Sequence, residues 1–104
     1  MDGIKQFIIK HLQYHHKTST MKKLNFKSVP VTDIDGTVKE LDFSKEIGNL
    51  IFRTTKDLGE LETAREIYQK GEIEADAKTA DMIKKYIDEN FVAFAKEALN
   101  PLFK

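Results

Sequence analysis

The sequence predicts an α+β domain, and three patterns carry that expectation. From Leu24 to Phe43 apolar residues alternate with polar ones around an Asp35-Gly36 pair. From Ile47 to Tyr68 they recur at three- and four-residue steps. Beyond Asp76 the helical step persists longest, through Ala80, Ile83, Ile87, Phe91, Phe94 and Ala98. A period of two is the mark of a strand with one buried face, and a period of 3.6 that of an amphipathic helix.

Leu24, Phe26, Ser28 and Pro30 alternate with Asn25, Lys27, Val29 and Val31; Ile34, Asp35-Gly36, Val38, Leu41 and Phe43 follow. Asp-Gly between β-branched runs predicts an N-terminal β-hairpin with a type I′ turn, in which both central residues take positive φ. Pro30 cannot donate to a ladder, so its strand is expected at an edge or bulged there. Asp42 or Ser44 is expected to cap the next helix, whose stripe is Ile47, Leu50, Ile51, Thr54 and Leu58. Gly48 inside that stripe costs roughly 1 kcal/mol against alanine, which suggests close packing on another backbone.

Asp57 followed by Glu60 resembles a capping box. The helix after it should bury Leu61, Ala64, Ile67 and Tyr68 and end at Gly71. Glu72-Ile73-Glu74 reads as a short strand or a loop. From about Ala77 to Leu99 the stripe predicts one long C-terminal helix, with Asn90 a possible break that the stripe passes without a phase shift, ended by Asn100-Pro101 because the residue before proline avoids the α region.

The domain is expected to span residues 21–104. Residues 1–20 form a separate leader or extension, in which Ile4, Phe7, Ile8 and Leu12 have helical spacing. Thr18-Ser19-Thr20 breaks that pattern, and Met21-Lys22-Lys23-Leu24 looks like a bacterial protein start. Either an upstream start codon or an amphipathic helix docked on the body accounts for the leader.

Composition narrows the function classes. With 104 residues, one modest core is affordable but not a core plus a deep enclosed active site. The absence of cysteine excludes disulfides, thiolate catalysis and zinc-thiolate sites, and is compatible with a reducing cytoplasm. No stretch approaches the ~20 apolar residues of a membrane span. Residues 1–23 hold five lysines against one aspartate, and the rest is acidic, with 12 Lys and Arg against 16 Asp and Glu. Such asymmetry can mark a nucleic-acid-binding arm, but an acidic body opposes phosphate binding.

Thr32-Asp33-Ile34-Asp35-Gly36-Thr37-Val38 resembles the Asp-x-Asp-Gly-Thr signature of haloacid-dehalogenase-type phosphotransferases. That resemblance would make Asp33 a nucleophile on phosphorus and Asp35 an acid/base, with magnesium bridging them to the phosphate. It covers only about seven residues, and too few strand-like segments follow for a doubly wound sheet. A hairpin turn with solvated carboxylates is the preferred account. A calcium loop counted from Asp33 fails, with Ser44 at position 12 and Lys39 where a ligand belongs.

His11 and His15 are four apart, a metal-ligand spacing, with His16 beside them, yet no glutamate follows His11. Phe43, Phe52, Tyr68, Phe91 and Phe94 could suggest a stacking platform, but most fall at core-facing positions. Lys22-Lys23 and Lys84-Lys85 read as solvated pairs. No catalytic, cofactor-binding or metal residue is assigned.

From Met21 on, the order of Lys-Leu-Asn-Phe, Val-Thr-Asp-Ile-Asp-Gly, Asp42-Phe43-Ser44-Lys45, Gly48-Asn49-Leu50, Glu66-Ile67-Tyr68 and Gly71 resembles small uncharacterised prophage and mobile-element proteins of gut anaerobic bacteria. The likeness covers about residues 21–99 and implies an accessory or assembly role. The expected function is therefore a non-enzymatic, cytoplasmic protein-interaction module. Its expected partner is its own copy or another protein, with no membrane, no small-molecule substrate, no cofactor and nucleic acid disfavoured. The alternatives are a nucleic-acid-associated regulator using the basic leader and, more distantly, a minimal phosphotransferase at Asp33 and Asp35.

Overall fold

A computed structural model describes residues 21–104; the leader, its helical stripe and its three histidines lie outside the described residues. Over the described residues the fold is α+β, with two small antiparallel sheets and four α-helices. In chain order these are β1 (Lys22–Asn25), β2 (Val29–Thr32), β3 (Val38–Leu41), α1 (Ser44–Thr54), α2 (Leu58–Lys70), β4 (Glu72–Ala75), α3 (Ala77–Asn90) and α4 (Ala93–Leu99). A 3₁₀ turn, Asn100–Phe103, closes the chain.

The alternating run from Leu24 to Val31 is not one strand. β1 pairs with β4, Lys22 opposite Ala75 and Asn25 opposite Glu72, whereas β2 pairs with β3. The switch falls at Phe26–Ser28, where the Asn25 side chain accepts a hydrogen bond from the Lys27 N–H (3.0 Å) and turns the backbone. Phe26, fully buried, anchors the crossing by donating to the Gly71 carbonyl and accepting from the Phe43 N–H. Glu72–Ala75 is thus a strand, and Ile73 and Ala75 bury its inner face.

The turn between β2 and β3 is not type I′. Gly36 alone has positive φ (88°); Ile34 and Asp35 stay on the ordinary side. The Gly36 N–H donates to the Asp33 carbonyl and the Asp33 N–H to the Thr37 carbonyl. This is a three-residue loop with its glycine in the left-handed position.

Helix starts follow local chemistry. Asp57 accepts from the Glu60 N–H (2.9 Å) and Asp76 from the Thr79 N–H (2.8 Å), each satisfying an orphan donor of a first turn. α1 departs from the expected cap: its N-cap is Phe43 with no side-chain cap bond, and Asp42 just ahead of it accepts from both the N–H and the hydroxyl of Ser44. Gly71 ends α2 with φ 79°. Leu58 belongs to α2 rather than to the stripe of α1, and it is exposed. In α2, Ala64 and Ile67 are buried, while Leu61 is half-buried and Tyr68 largely exposed.

The expected long C-terminal helix is two. Phe91 and Val92 are extended (ψ 152° and 160°) between α3 and α4. Asn90 donates its side-chain amide to the Tyr86 carbonyl, and Lys96 reaches the Asp88 carbonyl, so carbonyls of the last turn of α3 find partners. The break resets the phase: Ala95 and Leu99, not Phe94 and Ala98, enter the core, and Phe94 is 48% exposed. Asn100 is helical (φ −54°, ψ −40°) despite the following proline, because the chain tightens into the 3₁₀ turn.

One core joins both sheets to the helices, with Leu24, Phe26, Val29, Ile47, Ile51, Ile67, Ile83, Ile87 and Leu99 fully buried. α1 and α2 approach most closely at Gly48: a Cβ there would stand 2.9 Å from Tyr68 Cβ and 3.1 Å from the Ala64 carbonyl oxygen. A hydrogen-bonded triad ties the α1–α2 corner to α3, with Glu60 accepting from the Thr55 hydroxyl (2.7 Å) and the Tyr86 hydroxyl (2.9 Å).

Candidate functional site

Two surfaces stand out. The first is the outer strand of the β2–β3 ribbon. β2 buries Val29 and Val31, but every residue of β3 is exposed, Val38 at 59%. The Asp33–Thr37 bond sets the parity of the ladder, since alternate pairs of an antiparallel ribbon exchange hydrogen bonds. Val31 with Lys39 and Val29 with Leu41 then bond inward, and the N–H and C=O of Val38 and Glu40 face the open edge. Pro30 lies opposite Glu40, at a position where its missing N–H breaks no ladder bond.

The ribbon ends in the Asp33–Thr37 loop. Ile34 at its tip is fully exposed. Asp33 Oδ1 accepts from the Ile34 N–H (2.7 Å) and Asp35 Oδ1 from the Thr37 N–H (2.9 Å). The Thr37 backbone N–H, with its hydroxyl, holds the Asp35 carboxyl below the ordinary carboxylate range. Both sheets are antiparallel, so these aspartates cap a hairpin tip rather than the carboxyl edge of a parallel sheet.

The second surface is a cleft of about 230 Å³ on the outer side of the α1–α2 pair. Gly48 and Ala64 line its floor, and Phe52 and Tyr68, each 41% exposed, form its walls. A cation covers each ring. Lys45 Nζ lies 4.3 Å from the Tyr68 ring centre and donates to the Tyr68 carbonyl (3.0 Å). The Arg65 guanidinium lies 5.4 Å from the Phe52 ring centre while one of its nitrogens pairs with Glu62. Close helix approach at Gly48 makes this notch, because two bare positions leave the flanking aromatics standing above them.

The stacking set divides against expectation. Phe43 is buried and Phe91 half-buried, with ring centres 6.3 Å apart, but Phe52, Tyr68 and Phe94 are exposed on different elements. Lys84 pairs with Asp88 (2.7 Å), Lys23 with Glu72 (2.8 Å), and Lys22 donates to the Lys104 carbonyl. Among the described residues no three His, Asp or Glu side chains gather to hold a metal ion. No described helix is long and apolar enough to cross a membrane.

Sequence reasoning missed the cleft. Its one signal was Gly48 in a helical stripe, which foretold contact but not the aromatic walls or the cations. Compared with protein-family models, curated proteins and solved structures, the chain matches none.

Proposed function

We propose that this chain is a non-enzymatic protein-interaction or assembly module, homo-oligomeric or bound to another protein. The observation that carries this reading is β3: a whole strand exposed on both faces, with the polar groups of Val38 and Glu40 open along one edge. A two-stranded ribbon is marginal by itself, and an open edge is a template for a further strand. Exposed Ile34, Val38 and Leu41 add apolar area to that ribbon. The order of short motifs from Met21 to Gly71 supports a prophage-derived accessory role, and the cysteine-free composition supports a cytoplasmic setting.

The test is site-specific photo-crosslinking in the native host. A photoreactive residue at Val38 is expected to capture one protein, this chain or another, far above the yield from the same group at exposed Lys85. Equal, diffuse labelling from both positions would refute the interaction role.

A further inference from the structure

We propose that the hairpin tip Asp33-Ile34-Asp35 of one copy seats in the α1–α2 cleft of a second copy. This deepens the proposed function by naming the partner and the two surfaces, and it rests on that reading.

Charge and shape agree at both ends. The tip presents one branched apolar side chain, fully exposed, between two carboxylates. The cleft is lined by Gly48, Ala64, Phe52 and Tyr68 with Asn49, Gln69 and the cation Arg65, and a second cation, Lys45, lies over the Tyr68 ring next to that lining. Its volume of about 230 Å³ exceeds the roughly 150 Å³ cavity that holds a benzene-sized ring, so a single isoleucine side chain fits. Small residues at the floor and aromatic walls are the make-up of a pocket that takes one anchoring side chain.

The tip is already shaped for insertion. Asp33 and Asp35 each commit Oδ1 to a backbone N–H of their own turn, which fixes the loop. A preformed loop loses little freedom on docking. On the other side Lys45 keeps two of its three N–H donors beyond the Tyr68 carbonyl, and Arg65 pairs with Glu62 through one nitrogen only.

Pairing of β3 with its own copy is disfavoured in two of its registers. A two-fold axis normal to a sheet sets residues of equal parity opposite each other. Centring it on Lys39 or Glu40 places like charges face to face. The tip and the cleft are different patches, so each copy offers one of each.

The test is sedimentation equilibrium of the full chain across a concentration series, with circular dichroism to confirm folding. The wild type is expected to exceed its 12.0 kDa monomer mass as concentration rises, and less so as salt increases. Ile34→Ser, at a fully exposed loop position, is expected to weaken association roughly tenfold or more. Lys45→Glu with Arg65→Glu is expected to do the same. Mixing the two variants should restore a 1:1 complex, since one supplies an intact tip and the other an intact cleft. A wild type that stays monomeric to millimolar concentration overturns the proposal, as does a mixture that fails to associate. Self-association unchanged by Ile34→Ser overturns it too, while leaving an interaction role through other residues standing.

Discussion

Replacing Gly48 with alanine tests how closely α1 and α2 are locked. On helix propensity alone the change would stabilise the fold by roughly 1 kcal/mol. Geometry opposes it. The new methyl would lie 2.9 Å from Tyr68 Cβ, 3.1 Å from the Ala64 carbonyl oxygen and 3.2 Å from Tyr68 Cα. Carbon atoms prefer about 3.5–4.0 Å, and two of the three obstacles are backbone atoms that no rotamer change can move. The helices must part by several tenths of an ångström, loosening Ile47, Ile51, Ala64 and Ile67 together. Overpacking of this kind costs about 1–3 kcal/mol. The cost exceeds the gain, for a net loss of about 1 kcal/mol and a melting temperature lower by roughly 4–8 °C. Thermal and urea unfolding followed by circular dichroism measure it. An unchanged or raised melting temperature would mean that the two helices do not meet at Gly48 as described.

Two further outcomes follow from the same coordinates. Gly71→Ala combines a left-handed φ of 79° with a Cβ placed 2.8 Å from Lys27 Cβ, whereas Gly36→Ala has φ 88° and open space. The first is expected to cost about 2–4 kcal/mol and the second about 1–2 kcal/mol, so urea midpoints should fall in that order. Asp42 titrates below the ordinary carboxylate range, chiefly through the Ser44 hydroxyl and then its N–H, and Asp76 through the Thr79 N–H. With Asp35, these carboxyls hold protons more weakly folded than unfolded, so their contribution is complete above about pH 4. It is lost as pH falls through the folded values. Melting temperature should therefore decline below that pH, and Asp42→Asn should flatten the decline.

What was legible in the sequence was local chemistry. Asp57 takes the Glu60 N–H within one turn, a cap that needs nothing from the rest of the chain, whereas the Glu60 carboxylate leaves the expected box for the Thr55 and Tyr86 hydroxyls. Gly71 marks its helix end by the one backbone conformation other residues avoid. The pairing of β1 with β4 was not legible, because a strand's partner depends on burial brought from far along the chain. The alternation from Leu24 to Val31 concealed the crossing, since the turn at Asn25–Lys27 carries neither glycine nor proline. The break at Phe91–Val92 likewise lacks glycine and proline, and its one mark, Asn90, is outweighed by a stripe that passes it in phase. A stripe stepping by three and four fits a continuous helix and a broken one equally, and only packing selects Leu99 over Phe94. The cleft needs two helices in register before Lys45 meets Tyr68 across 23 positions, which no single-helix pattern reveals.

The pairing of β1 with β4 has a consequence for synthesis. Lys22–Asn25 leaves the ribosome about 50 residues before the strand it needs is complete at Ala75. At roughly 5–20 residues per second that is a wait of about 3–10 s. Throughout it Leu24 and Phe26 have no finished core to enter, and a nascent chain stalled before Ala75 would display both to chaperones.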